Sequence, residues 1–208
     1  MIQNHSKKII SYFDILYPNP KCMLTHSSNF QFLIAVCLSA QTTDKKVNEV
    51  TKILFKNYGN PDKLAKAKIS DVKNIIKPLG LANTKANNII NLSKDLCNIY
   101  NSKVPNDRKK LMKLSGVGNK TCNLVLSECF GESTFPVDTH INRISKRLRI
   151  AKQSDDILKV EDKLKKYFPK DKWNRLHHQF IYFGREICKS RNPMCKNCKL
   201  NSICGNVS

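Results

Sequence analysis

The sequence predicts an all-α protein, and three observations support that fold class. Apolar residues recur every three or four positions along most of the 208-residue chain, which is typical of amphipathic helices. No segment shows the sustained alternation of apolar and polar residues that a half-buried strand requires. A glycine-rich turn, Gly116-Val117-Gly118, separates two of the apolar-periodic segments. We find no low-complexity stretch and no linker.

The predicted helices follow from their apolar stripes and from the residues that stop them. The first helix ends before Pro18, because proline cannot continue a helix. Asp44 and Asp138 each precede an amphipathic run, so both are expected to be N-caps. Residues 30–38 are apolar on nearly every side, which indicates a buried central helix. The predicted helices are 6–17, 30–38, 45–58, 70–77, 84–100, 107–114, 120–130, 141–148, 155–168 and 171–183.

The turn at Gly116 and Gly118 brings chemistry-bearing groups together. The helix that follows it begins with unpaired N–H groups, and such a terminus can bind a phosphate. Lys120 lies in the first turn of this helix, and Asp138 follows about one helix later. Each residue alone has an ordinary structural explanation, a solvated lysine and a capping aspartate. Together they offer an amine and a carboxylate.

Four of the nine cysteines fall within the last 21 residues. Cys188, Cys195, Cys198 and Cys204 are separated by six, two and five residues. Four thiolates at such spacing can bind one tetrahedral zinc ion or one cuboidal iron–sulfur cluster, and the spacing does not separate these two. The other five are expected to be small core residues: Cys22, Cys37, Cys97, Cys122 and Cys129.

The composition indicates an intracellular protein with a polyanionic partner. The formal net charge is +21, from 37 Lys and Arg against 16 Asp and Glu, and so positive a field attracts phosphate backbones. Lysine is abundant throughout the chain, however, so the charge supports DNA binding only alongside a motif. No apolar run approaches the roughly 20 residues that span a bilayer, and we expect a soluble, cytoplasmic protein.

These motifs resemble those of the helix-hairpin-helix DNA glycosylases, and most closely the endonuclease III branch. The segment 114–121, Leu-Ser-Gly-Val-Gly-Asn-Lys-Thr, resembles the family's hairpin, and 137–140, Val-Asp-Thr-His, its aspartate motif. Gln41, Gly80-Leu81 and the terminal cysteines extend the resemblance over residues 30–204. The family usually has Pro at the position of Ser115 and often Arg at that of Asn119. Both departures could loosen the turn or remove a phosphate contact.

The resemblance implies a bifunctional glycosylase and abasic-site lyase acting on oxidised pyrimidines in duplex DNA. Lys120 would be the nucleophile that forms a Schiff base, and Asp138 would assist it, so the two are expected to converge on one sugar carbon. Gln41 would fill the gap left by the extruded nucleotide, and Leu81 would wedge between bases. Gly116 and Gly118 would approach the phosphate backbone.

The resemblance also implies a [4Fe-4S] cluster on the four terminal cysteines and two helical domains. One domain, of six helices, would comprise residues 22–132, and the other would comprise 1–21 and 133–208. The basic residues Lys189, Arg191 and Lys196 near the cluster would contact DNA. The protein is expected to be a monomer, with no chemistry assigned to His177 or His178.

Three alternatives remain open at this point. An adenine-mismatch glycosylase shares the hairpin, the aspartate and the cluster, but it normally lacks the nucleophilic lysine. A non-catalytic DNA-binding module would use Lys120 only as a phosphate contact. A structural protein would hold zinc at its four cysteines. The basic residues of helix 141–148 are interpreted as a solvated face.

Overall fold

The computed structural model describes residues 2–205, and within that range the chain is helical without any strand, so the predicted all-α class is confirmed. No helix in this range is both long enough and apolar enough to cross a bilayer. The α-helices of residues 2–205 are α1 (Ile2–Leu16), α2 (Asn29–Leu38), α3 (Asp44–Tyr58), α4 (Pro61–Ala65), α5 (Ile69–Ile76), α6 (Ala82–Tyr100), α7 (Arg108–Leu111), α8 (Asn119–Phe130), α9 (Thr139–Arg147), α10 (Ile157–Tyr167) and α11 (Trp173–Glu186).

The chain divides into two compact units. The middle unit comprises residues 22–132, and the terminal unit comprises residues 1–21 and 133–208. The middle unit contains α2 to α8, and the described part of the terminal unit contains α1 and α9 to α11. Each unit has a hydrophobic core of its own.

The core of the middle unit is organised around α2. Phe32, Leu33 and Ile34 are consecutive and fully buried, as the uniformly apolar sequence predicts. The helix begins where the hydroxyl of Ser28 accepts a hydrogen bond from the Gln31 amide at 3.2 Å. Helices α3, α6 and α8 pack around it and bury their own apolar stripes.

The core of the terminal unit is aromatic. Phe13 of α1 packs against Phe180 and Phe183 of α11, with ring centroids 5.0 and 4.9 Å apart. Helices α9 and α11 approach closely at Gly184, where an added Cβ would lie 2.8 Å from the Cβ of His140. Only glycine permits this approach, because carbon atoms do not pack at that distance.

Four sequence predictions need correction. Helix α1 begins at Ile2, before the expected residue 6, and α4 was not predicted at all. Asn60 caps α4 through a 2.9 Å hydrogen bond from the Lys63 amide. The N-cap of α3 is Thr43, whose hydroxyl accepts from the Lys46 amide at 3.3 Å, so Asp44 is instead the first helical residue. Helix α7 ends at Leu111 and is shorter than predicted.

Candidate functional site

The hairpin of the middle unit runs from α7 through the turn at 115–118 into α8. Leu114 and Val117 are buried in the core and anchor the turn, and the Val117 amide donates to the Leu114 carbonyl at 3.1 Å. Gly116 has a φ of 78°, a left-handed conformation that side chains with a Cβ rarely adopt. A Cβ there would also lie 3.0 Å from the Asn88 side chain. The protein's own packing therefore requires glycine at 116.

Gly118 differs from Gly116, because none of the residues that the structure describes requires a glycine there. Its φ of −94° is open to any residue, and an added Cβ would meet no atom within 4 Å. Gly118 is the N-cap residue of α8 and provides no side-chain cap. The N–H groups at the start of α8 are therefore open to a group that approaches from outside.

Lys120 is the second residue of α8 and is exposed. Its amine makes no hydrogen bond or ion pair within the described residues of its own unit. The geometry thus presents a primary amine at the surface, in the same helical turn as the backbone amides that follow Gly118. A side chain held in this way can contact phosphate or attack an electrophile.

Arg108 braces the hairpin from α7. Its guanidinium donates to the side-chain oxygen of Asn119 at 3.0 Å and to that of the buried Asn123. Both acceptors lie on α8, so this one arginine joins the two helices of the hairpin. Asn119, which departs from the family pattern, is thereby used to tie α8 to α7.

Gln41 and Leu81 also belong to the middle unit, and each is exposed in a left-handed backbone conformation. Gln41 has a φ of 58° and Leu81 a φ of 50°. The side chain of Leu81 is 58% exposed, although leucine usually lies inside. Left-handed conformations are strained for residues with a Cβ and are frequent at functional sites. Both exposed side chains are therefore candidates for contact with a bound molecule, and we refer to Gln41 and Leu81 as the two probes.

Asp138 caps α9 in the terminal unit, as predicted. Its Oδ1 accepts a hydrogen bond from the Ile141 amide at 2.8 Å. His177 supports the preceding segment, because its Nδ1 lies 2.8 Å from the Pro136 carbonyl oxygen and its ring is buried. Sequence reasoning assigned His177 no role, and no local signal links it to a carbonyl 41 positions away.

The prediction that the basic residues of α9 form a solvated face is wrong for Arg143 and Arg147. Both arginines bind backbone carbonyls of the segment that begins the cysteine loop. The Nη2 of Arg143 donates to the carbonyls of Gly184 and Cys188 at 2.9 Å each. Arg147 donates to the carbonyls of Lys189 and Ser190 at 2.7 and 3.2 Å, and to the Cys188 sulfur at 3.3 Å. The spacing of polar residues along a helix shows which side of the helix is polar, but it does not show whether that side contacts solvent or a neighbouring loop.

The four terminal cysteines line one cavity of about 30 Å³ in the terminal unit. Short 3₁₀ turns at Cys195–Asn197 and Asn201–Ile203 carry two of the intervening segments. Among the described residues, no three His, Cys, Asp or Glu side chains could hold a metal ion. Burial raises the pKa of the Cys188 thiol, while the Arg147 guanidinium opposes this, and burial also raises the pKa of Cys198. The four thiols thus share one cavity.

The remaining cysteines are mostly core residues, as expected. Cys122 is buried, and Cys22, Cys37 and Cys129 are partly buried against the core of the middle unit. Burial raises the pKa of Cys22 to about 11 and the pKa values of Cys37 and Cys129 to about 12. Cys97 is the exception, since its sulfur lies 3.7 Å from a carboxylate oxygen of Asp62.

Comparison with known proteins places these features in context. The model of the HhH-GPD superfamily base excision DNA repair proteins matches residues 34–170. Endonuclease III of Bacillus subtilis (strain 168) is 44% identical over 189 residues, which cover 91% of this chain and 86% of that protein. A solved non-covalent endonuclease III–DNA complex aligns with a TM-score of 0.94 at 41% identity, covering 99% of this chain and 95% of that one. A trapped endonuclease III–DNA covalent intermediate aligns with the same score and identity, covering 99% and 96%.

Proposed function

This chain belongs to the endonuclease III family of the HhH-GPD base excision DNA repair proteins, and from that premise we propose that it is a bifunctional glycosylase and abasic-site lyase for oxidised pyrimidines in duplex DNA. The observation that carries the proposal is the exposed amine of Lys120 in the first turn of α8. A relative of the same fold has been trapped covalently on DNA. An available amine is the group that such a covalent step needs.

The proposed reaction uses Lys120 as the nucleophile. Its unprotonated amine attacks C1′ of the deoxyribose, and the damaged base leaves with the electrons of the glycosidic bond. The C1′–O4′ bond then opens as the nitrogen forms a double bond to C1′, and O4′ takes up the proton that the amine loses. The resulting Schiff base acidifies the C2′ hydrogen, so that removal of this proton expels the 3′ phosphate by β-elimination. Asp138, proposed to converge on the same sugar, stabilises the positive charge that develops there. Its second carboxylate oxygen serves this purpose while the first caps α9.

The proposed DNA contacts follow from exposure and charge. Gly118 lets a phosphate approach the amides of α8, since no atom of the protein occupies the space beside it. Gly116 gives the turn the shape that exposes these amides. Gln41 fills the space of the extruded nucleotide, and Leu81 separates the neighbouring bases. Exposed cations of the cysteine loop bind the backbone: Lys189, Arg191 and Lys196.

Borohydride trapping tests the proposed chemistry directly. The purified protein is incubated with a duplex that carries an abasic site or thymine glycol, and borohydride reduces any Schiff base to a stable adduct. We expect an adduct with the wild-type protein and none with Lys120→Ala. Lys113→Ala is the matched control, because Lys113 is another exposed lysine just before the turn, and it should trap normally.

The trapping outcomes also separate the competing functions. A protein that binds the duplex but leaves the strand whole would be a DNA-binding module, and the proposal would fail. An adduct that persists in Lys120→Ala would move the nucleophile to another amine. Cleavage of an A·G mismatch in preference to thymine glycol would favour the adenine-mismatch activity.

The four terminal cysteines are proposed to hold a [4Fe-4S] cluster. Their side chains line one cavity, and four cysteine thiolates are a ligand set of such a cluster. The same four thiolates could hold tetrahedral zinc. The resemblance to endonuclease III favours the cluster over zinc. When bound, the cluster supplies structural support for the basic loop and takes no part in bond cleavage.

Metal analysis tests this assignment. We expect about four irons and four sulfides per chain, with the absorbance of a [4Fe-4S] protein. One zinc per chain and no sulfide would assign the cysteines to a structural zinc site instead. An iron-free preparation that is fully folded and active would contradict the structural role of the cluster.

A further inference from the structure

Lys85 is an unusual residue, because it is a lysine in the interior of the middle unit. It lies in the first turn of α6, and only 5% of it is exposed. Its Nζ donates hydrogen bonds to the carbonyl oxygens of Ala40 and Leu79, each at 2.9 Å. No carboxylate forms an ion pair with it among the described residues of this unit. Lysine is seldom buried without such a partner.

The two carbonyls belong to the loops that carry the exposed probes. Ala40 immediately precedes Gln41, and Leu79 stands two residues before Leu81. The Lys85 ammonium therefore joins a loop after α2 to a loop before α6, although these lie about 40 positions apart in the sequence. Both probes have left-handed backbones, which persist only where the surroundings hold them.

We propose that Lys85 is a positioning residue, whose ammonium fixes the Gln41 loop to the Leu81 loop so that both probes enter the duplex as one rigid unit. This inference rests on the DNA contacts proposed above for Gln41 and Leu81. Two independent loops would lose conformational freedom on binding, and a link formed beforehand removes that cost. The link also sets a fixed spacing between the side chain that fills the gap and the side chain that separates the bases.

Burial makes a lysine costly at this position, because burial lowers the pKa of Lys85 and so disfavours its charged form. An apolar side chain of similar length would avoid that penalty, but it would leave the carbonyl oxygens of Ala40 and Leu79 without this donor. Lysine is favoured when the two carbonyls must be held at a fixed separation.

The test compares two substrates with the same abasic site. One is a continuous duplex, and the other is a duplex whose complementary strand lacks the nucleotide opposite the site. The gapped duplex needs little separation of bases, so the spacing of the probes matters less there. Lys85→Met removes both hydrogen bonds and keeps the length of the side chain. We expect its kcat/KM to fall on the order of tenfold on the continuous duplex, with little change on the gapped one.

A matched control comes from the same helix. Ser93 is buried in α6, and its hydroxyl donates to the Ile89 carbonyl at 2.7 Å, away from both loops. Ser93→Ala should lower the thermal midpoint without altering the ratio of the two activities. Equal losses on both substrates for Lys85→Met, or no loss on either, would overturn the proposal.

The outcomes separate this inference from the proposed function. A wild-type protein that cleaves neither duplex contradicts the proposed function, whereas a wild type that cleaves both while Lys85→Met keeps the normal ratio contradicts only the role of Lys85. If Lys85→Met does not fold, Lys85→Gln takes its place, since an amide can still donate to one carbonyl. Its loss should be smaller and again confined to the continuous duplex, and an equal loss on both would overturn the proposal.

Discussion

In both units, long cationic side chains donate hydrogen bonds to the backbone carbonyls of surface loops. The two units differ in what else holds those loops in place. In the middle unit, the Lys85 ammonium links the loop after α2 to the loop before α6. In the terminal unit, the side chains of Arg143 and Arg147 bind the first part of the cysteine loop, up to Ser190. The Arg147 carbonyl accepts hydrogen bonds at the end of that loop, from the Gly205 amide at 2.6 Å and from the Cys204 sulfur at 3.4 Å. All four cysteines of the loop line one cavity. The loops of the middle unit are thus linked by the chain itself, whereas the cluster proposed for the four sulfurs would add further support to the cysteine loop.

Loss of one cysteine ligand should give the largest difference between the units. Cys198→Ala removes one of the four thiols, and we expect loss of iron and a decrease in stability of more than about 4 kcal/mol in the terminal unit. The only tryptophan of the chain, Trp173, lies in that unit at the start of α11. Its fluorescence in urea therefore reports on the terminal unit, while circular dichroism also follows the middle unit.

The control for this experiment is Cys129→Ala in the middle unit. Cys129 is partly buried against the core, so its truncation should cost about 1 kcal/mol and leave the iron content unchanged. Equal destabilisation of both units by Cys198→Ala would contradict the contrast between them. So would a Cys198→Ala protein whose Trp173 fluorescence unfolds at the wild-type urea concentration.

Alanine substitutions at the two hairpin glycines should distinguish a glycine that the fold requires from a glycine that DNA binding requires. Gly116→Ala places a Cβ on a left-handed backbone beside Asn88, so we expect a loss of about 2 kcal/mol in unfolding free energy. Gly118→Ala meets no atom and should cost about 0.5 kcal/mol. Its affinity for an abasic duplex should nevertheless fall about tenfold, equivalent to ~1.4 kcal/mol.

Thermal unfolding and fluorescence anisotropy with labelled DNA measure these two effects. The prediction requires that Gly116→Ala lose more unfolding free energy than Gly118→Ala. It also requires that the loss of DNA affinity in Gly118→Ala exceed its small loss of stability. Wild-type affinity in Gly118→Ala would show that phosphate does not approach the start of α8 closely.

Arg147→Met should give the smallest effect. It removes exposed hydrogen bonds to the carbonyls of Lys189 and Ser190 and a partly buried one to the Cys188 sulfur, so we expect about 1 kcal/mol of destabilisation in the terminal unit. Lys146→Met, on the same helix, should change stability by less than about 0.5 kcal/mol. The Trp173 fluorescence provides the measurement. Indistinguishable curves for the two variants would mean that the arginine contacts contribute nothing.

Local sequence signals predicted the elements that local interactions determine. The capping of α9 by Asp138 depends on an amide three residues away, and the buried α2 depends on its own composition. The same reasoning failed where two local candidates competed, as Thr43 and Asp44 did for the cap of α3. It also overlooked α4, although Asn60 followed by Pro61 is a good signal for the start of a helix.

Contacts between distant parts of the chain could not be predicted. The Lys85 ammonium donates to the Ala40 carbonyl, 45 positions earlier in the chain. The Arg143 guanidinium donates to the Cys188 carbonyl, 45 positions later. Hydrophobic periodicity shows which side of a helix is polar, but it does not show whether that side meets solvent or a loop. A lysine in a first turn looks the same whether it is solvated, like Lys120, or internal, like Lys85.

The division of the chain has a consequence for biosynthesis. Helix α1 leaves the ribosome before the middle unit, yet its aromatic partners Phe180 and Phe183 are translated after that unit. The contiguous middle unit can fold while synthesis continues, whereas α1 must wait as a nascent amphipathic segment. Maturation is therefore ordered in time, and the cluster proposed for the four cysteines can be completed only after Cys204 has emerged.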